Sequence, residues 1–201
     1  MTFDRKEYWR NPDDSDLPEA VKRICRPSYF IDLDSVTELI VDKLTNYLDV
    51  KDSIMELGAG TGRNLAGLLN AGFVNVSGIE INQDAINLGK KVFSELTDVP
   101  IYCDAVEDAI YEMENYDCIY TQSILMHLSP EVDWIFKEIS DRANKFIMTI
   151  ENEKPDTSNG ICWRRNYKDI FEGFGWHEVE GYAGTGCRAH APFTTVRVFK
   201  K

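Results

Sequence analysis

The sequence predicts an α/β protein whose mostly parallel sheet carries helices on both faces. Three observations lead there. From residue 35 onward, short apolar runs alternate with stretches of helical periodicity, and such alternation builds a parallel sheet because each crossover helix must cover a sheet face. A length of 201 residues with 43% hydrophobic and 11% aromatic content fits one globular domain with a substantial core. Finally, the apolar run ending at Glu56-Leu57 turns at once into the alternating glycines Gly58, Gly60 and Gly62, which reads as strand, bare-backbone turn and helix.

The elements follow in chain order. The first 31 or so residues are polar, with Pro12, Pro18 and Pro27 and the acidic cluster Asp13-Asp14-Ser15-Asp16, a composition that predicts turns and short helices. Tyr8, Trp9, Tyr29 and Phe30 are costly to leave in water. Segment 1–34 is therefore expected to fold back as a lid on a main domain of 35–201. Val36, Leu39, Ile40, Leu44 and Leu48 follow helical spacing and predict a helix over 35–48. Strands are predicted at 53–57, 75–80, 101–103, 116–121 and 145–150, with helices near 63–71, 83–95, 106–113 and 130–144 between them. The tail reads as a helix over 167–174, then strands at 176–181 and 194–199 joined by a polar loop.

A formal charge of −12 argues against nucleic acid as a partner, since that binding relies on Lys and Arg displacing counterions. No basic stretch followed by an apolar one opens the chain, and no apolar run is long enough to span a bilayer. The expectation is a cytoplasmic protein that does not enter the membrane, a monomer or weak dimer. Cys25, Cys103, Cys118, Cys162 and Cys187 form no CxxC pair and read as reduced thiols, with no metal site. Cys103 and Cys118 fall in strand-like runs and are expected in the core.

The glycine spacing points to a nucleotide-shaped ligand. A dinucleotide fingerprint places its third glycine one position later, where Arg63 stands, and seats a pyrophosphate on the helix N-terminus. Glu56 just before the turn suits a cation better than a diphosphate. The run Glu-Leu-Gly-Ala-Gly-Thr-Gly (56–62) resembles the first motif of class I S-adenosylmethionine-dependent methyltransferases. The resemblance covers roughly residues 35–200. It implies a Rossmann-like, doubly wound sheet of seven strands, mostly parallel with an antiparallel last strand. It also implies that Gly58, Ala59, Gly60 and Gly62, with Asn64, pack under the sugar and amino-acid portion of S-adenosylmethionine, and that Glu56 lies near the methionine ammonium. S-adenosylhomocysteine is the product.

Gly78-Ile-Glu-Ile-Asn82 places Glu80 at a strand end, 18 residues after Gly62. A carboxylate there can accept hydrogen bonds from both ribose hydroxyls, and Ile81 can pack on the adenine face. A solvated acid is the plainer reading. In Cys103-Asp-Ala-Val-Glu-Asp108 the resemblance gives Asp104, beside Ala105, the adenine amino group, while Asp is also a favoured helix cap. After the fourth strand, Thr121, Gln122 and Ser123 should face the sulfonium and the methyl acceptor, because ligands of open parallel sheets bind beyond the strands' carboxyl ends. His127 is the candidate general base, or else simply holds its turn.

Further along, Glu151-Asn-Glu153 precedes a surface loop, and Arg164-Arg165 can clamp an anionic acceptor or form surface ion pairs. Arg188 and His190, in the 181–192 loop, carry the same ambiguity. Marks of several subclasses are absent: no Asn/Asp-Pro-Pro-aromatic tetrapeptide follows strand four, Gln122-Ser123 does not match paired glutamates, and no Asp…Asp-Asn set stands out. A small-molecule oxygen or nitrogen acceptor remains, of the sugar or secondary-metabolite kind. Two alternatives stay open: a same-fold transferase using a modified S-adenosylmethionine, and a non-catalytic module that binds it.

Overall fold

A computed structural model describes residues 5–12, 26–154, 157, 162–184 and 194–201. The acidic cluster 13–16, Pro18, Cys25, Cys187, Arg188 and His190 lie outside the described residues. Seven strands, β1 (Ser53–Leu57), β2 (Asn75–Glu80), β3 (Ile101–Cys103), β4 (Tyr116–Gln122), β5 (Ala143–Asn152), β6 (His177–Ala183) and β7 (Thr194–Lys200), form one sheet in the order β3-β2-β1-β4-β5-β7-β6. β1 runs parallel to β4, β2 to β3 and β4 to β5. β7 is antiparallel to both β5 and β6, as the resemblance implies. The α-helices are α1 (Arg5–Arg10), α2 (Ser35–Tyr47), α3 (Arg63–Asn70), α4 (Gln83–Val92), α5 (Val106–Ala109), α6 (Ile135–Arg142) and α7 (Tyr167–Gly173). No helix among the described residues is long and apolar enough to cross a membrane.

The chain divides into two compact units, one of Met1–Lys51 with Gly58–Val106, the other of Asp52–Leu57 with Glu107–Lys201. In the first, α2 begins at Asp34, whose carboxylate accepts from the amides of Val36 and Thr37, satisfying donors that the first turn leaves without partners. α2 buries Val36, Ile40 and Leu44. Gly67 of α3 lets α2 approach closely, for a Cβ there would stand 2.3 Å from Thr37 Cγ2. Asn82 caps α4 in the same manner as Asp34 caps α2, accepting from Asp84 and Ala85.

In the second unit, β4 and β5 are buried along most of their length, as strands covered on both faces must be. Phe136, Tyr167, Phe171 and Phe199 pack ring against ring between α6, α7 and β7. Trp176 is 1% exposed, and its indole N–H donates to Ser140 Oγ at 2.6 Å.

Several expectations change in detail. The helix read over 130–144 is a 3-10 turn at Pro130–Val132 followed by α6. It stops at Arg142 because Ala143 is taken into the sheet opposite Tyr116. The helix read over 106–113 is α only to Ala109 and then 3-10, and α4 ends at Val92 rather than 95. Cys118 is buried but Cys103 is exposed, because β3 is a short edge strand of the sheet. Tyr8 is buried, whereas Tyr29 is 45% exposed with its ring edge-on to Phe30 at 5.2 Å, an arrangement open to a residue with a polar tip.

Candidate functional site

In the first unit the glycine loop is a run of left-handed turns. Gly58, Gly60 and Gly62 have φ of 77°, 57° and 73°, a region that side chains with a Cβ adopt only under strain. The amides of Gly58 and Ala59 both donate to the Ile79 carbonyl, at 2.8 and 2.9 Å, and Gly62 N–H donates to the Ala59 carbonyl at 2.8 Å. A Cβ on Gly60 would meet nothing within 4 Å, whereas one on Gly62 would stand 2.7 Å from Leu96 Cδ1. The backbone is thus bare and open at Gly60 and tightly packed at Gly62. Gly89, inside α4, went unread in the sequence. A Cβ there would lie 1.8 Å from the Thr61 carbonyl oxygen, so α4 presses directly on the loop. The usable signal was a glycine interrupting a helical pattern, which marks a close approach of backbone.

Glu80 meets this loop. One carboxylate oxygen accepts from Gly60 N–H at 2.7 Å, the other from Asn82 N–H at 2.9 Å. Burial pushes the Glu80 carboxyl above its ordinary range, and the amides of Asn82, Gly60 and Ile81 pull it back. Ile81 beside it is half-buried. The Asp104 amide donates to the Glu80 carbonyl at 3.1 Å. The exposed Asp104 side chain accepts from the amide of buried Ala105 at 2.8 Å. The structure therefore brings Gly60, Glu80 and Asp104 together.

Asn64 is buried at the start of α3. Its Oδ1 accepts from Thr37 Oγ1 at 2.8 Å in a buried bond, so it ties α3 to α2. Arg63, unassigned by the sequence, is 5% exposed. Its guanidinium donates to Asp34 at 2.5 Å and lies 5.2 Å from the Phe30 ring centre. Thr61 Oγ1 donates to the Phe30 carbonyl. Segment 26–34 is thus hooked to the glycine loop by a hydroxyl, an ion pair and a ring.

In the second unit, Glu56 is 1% exposed on β1, in register with Tyr120 of β4. Gln122 and Ser123 are half-buried at the carboxyl end of β4, and Gln122 Nε2 donates to Ser123 Oγ at 3.1 Å. Ser123 has a φ of 56°, the one positive value among the described non-glycine residues. A 3-10 turn, Leu125–His127, follows it. Half-buried His127 has its Nδ1 3.5 Å from Cys162 Sγ, a partner absent from the sequence reading.

Two further residues organise this loop. Glu151, at the end of β5, is fully buried and accepts from the amides of Ile124 and Leu125 at 3.1 Å each and of Met126 at 3.4 Å. Burial raises its carboxyl to about 7, against the opposing pull of those amides. Arg165 is buried and donates to the carbonyls of Leu125 and Leu128, at 3.0 and 2.7 Å, and to Asp133. It is thus neither a surface ion pair nor a free anion clamp. Arg164 is exposed, and Glu153 is engaged with Arg197.

Residues 54–145 match a family model described as a methyltransferase domain. No curated protein matches significantly. Among solved structures, magnesium protoporphyrin IX methyltransferase of Synechocystis PCC 6803 with bound SAH aligns at a TM-score of 0.68 and 12% identity, over 97% of this chain and 96% of that one. TehB of Haemophilus influenzae aligns at 0.63 and 15%, over 98% and 67%. The [4+2]-cyclase SpnF aligns at 0.66 and 13%, over 83% and 79%. At such identities the likeness is one of fold. Residues 54–145 are thus similar to a methyltransferase domain, and the sheet order and the glycine loop that β1 feeds belong to the fold shared with these solved structures.

Proposed function

We propose that the chain transfers a methyl group from S-adenosylmethionine to an oxygen or nitrogen of a small molecule, of the sugar or secondary-metabolite kind. The observation that carries the reading is the Glu80 carboxylate, anchored on the Gly60 amide beside backbone that is open where a Cβ would sit. An acid held on two amides keeps acceptor sites in reserve for a pair of vicinal hydroxyls. In this reading Gly58, Ala59, Gly60 and Gly62 underlie the donor's sugar and amino-acid portion. Glu80 takes the ribose, Ile81 the adenine face, and Asp104 with Ala105 the adenine edge. Glu56 faces the methionine ammonium. Asn64, whose Oδ1 ties α3 to α2 through Thr37, belongs with the glycines to the donor site.

S-adenosylmethionine supplies an electrophilic methyl group on its sulfonium. The protein's own tasks are to align an acceptor with that carbon and to remove a proton. Gln122 and Ser123 face the donor's sulfonium and the acceptor, and His127 takes the proton. Cys162 Sγ lies 3.5 Å from His127 Nδ1 and steadies the ring. Segment 1–34 serves as a lid on 35–201, supported by its hooks to Thr61 and Arg63. The net charge of −12 speaks against a nucleic-acid acceptor, and unpaired cysteine spacing supports a reducing cytoplasm. No metal is assigned a role.

The test is isothermal titration with S-adenosylmethionine and S-adenosylhomocysteine, followed by a screen of acceptors with labelled donor. Micromolar binding and transfer to a small molecule are the expected results. If neither compound binds, the reading fails. Binding without turnover on any acceptor favours a second reading, in which the site binds the donor and does other work, as the name of the [4+2]-cyclase neighbour illustrates for this fold.

A further inference from the structure

The loop 123–128 has its backbone groups met largely from outside itself. Its amides are taken by the Ile150 carbonyl at Ser123 and by the Glu151 carboxylate at Ile124, Leu125 and Met126. Its carbonyls are met by Arg165 at Leu125 and Leu128, and by the Trp163 amide at Met126. The amides of His127 and Leu128 close on the loop's own carbonyls, those of Ile124 and Leu125. A short segment with Ser123 at positive φ has little intrinsic preference for this shape. Two buried charges of opposite sign, reaching in from β5 and from the residue two before α7, over-determine it.

We infer that Glu151 and Arg165 are positioning residues for the methyl-transfer step, gripping loop 123–128 by its amide side and its carbonyl side, and so aiming His127. The inference rests on the proposed acceptor role of Gln122, Ser123 and His127. An apolar substitute at 151 would leave the amides unmet. A neutral Gln has one acceptor oxygen, and its amide nitrogen would confront an N–H. The grip on three amides therefore needs the ionised carboxylate, and protonation of Glu151 slackens it. The groups within electrostatic reach of Glu151 are Thr121 on β4 and the Tyr167 phenol on α7, and that phenol in turn feels Arg165 and Glu153. Burial holds the Tyr167 phenol well above its usual range, and Arg165 stays charged throughout. Neither produces a transition near neutrality.

The experiment uses isotope-labelled full-length protein. Amide resonances of Ile124, Leu125 and Met126 and the imidazole resonances of His127 are followed from pH 5 to 9 in wild type, Glu151→Gln and Arg165→Lys. S-adenosylhomocysteine affinity is measured for each. In wild type the three amides are expected to shift together with one midpoint near 7, and His127 to show the same inflection. In Glu151→Gln the shared amide inflection is lost, while S-adenosylhomocysteine affinity stays within about threefold. In Arg165→Lys the inflection persists, and hydrogen exchange across 124–128 quickens by about tenfold or more. Amides that do not move together in wild type, or an inflection that survives Glu151→Gln, would overturn the inference. Should a variant fail to fold, the wild-type titration alone decides. Failure of wild type to bind S-adenosylhomocysteine refutes the proposed function instead, and leaves the loop titration to be read by itself.

Discussion

Gly89 of α4 and the Thr61 carbonyl stand so close that a single added methyl group would lie 1.8 Å from that oxygen. The glycine loop therefore keeps its shape partly because a helix presses on its backbone. Gly89→Ala is expected to destabilise the protein by about 1–3 kcal/mol through overpacking, although alanine is the better helix former. Donor affinity should fall with it, because the displaced carbonyl belongs to the loop. Urea denaturation and calorimetric titration check both effects. Unchanged values in both would mean that α4 shifts without moving the loop.

Glu80→Ala removes a carboxylate that holds Gly60 and, in the proposed function, the ribose. Loss of hydrogen bonds to a charged group amounts to roughly 1.5–3 kcal/mol, so S-adenosylhomocysteine should bind about ten- to a hundredfold more weakly. Glu80→Gln should fall between the two. Calorimetry at constant pH measures the series.

Asp34 holds the first turn of α2 with one oxygen and Arg63 with the other. Asp34→Ala forfeits a cap worth about 0.5–2 kcal/mol and leaves a buried guanidinium without its counter-charge. A total loss of about 2–4 kcal/mol is expected in urea denaturation. The exposed neighbour Asp32 serves as control, where alanine should change stability by under about 0.5 kcal/mol.

Stability should also report on Glu151. Its folded-state acidity near 7 lies above the ordinary 4.5. The stability contribution is therefore fully present below about pH 4.5 and is lost as pH rises through about 7. Relative to Glu151→Gln, which cannot titrate, wild type should lose roughly 3 kcal/mol between pH 4 and 8. Thermal melts of both proteins across that range measure it. A pH-independent difference would show that Glu151 titrates alike in folded and unfolded chains.

For His127, turnover of whichever acceptor the screen identifies should drop by about 10²–10⁴-fold in His127→Ala, with donor affinity retained. Turnover unaffected by His127→Ala would reduce the histidine to a part of its turn.

The sheet was legible because its evidence is local. β1 and β2 announce themselves as apolar runs ending at a glycine turn and at Glu80, and both have the bounds read from sequence. Asp34 and Asn82 are cap residues of the kind helices prefer. Helix ends were less legible. The pattern at 143–144 suits a helix as well as a strand, and pairing with Tyr116 decides for the strand. Cys103 looked like a core residue until β3 took an edge position in the sheet.

Sequence by itself determined the strand–helix alternation, the left-handed glycine turn after β1, and the acid that ends β2, because each depends on residues within a few positions of one another. Tertiary structure alone decided what those residues touch. Thr37 meets Asn64, Gly60 meets Glu80, Glu151 meets the amides of 124–126, and Cys162 meets His127. Each of these contacts joins groups 20 or more positions apart. Buried polar groups must find partners wherever the fold brings them, and no local pattern records which partner that is.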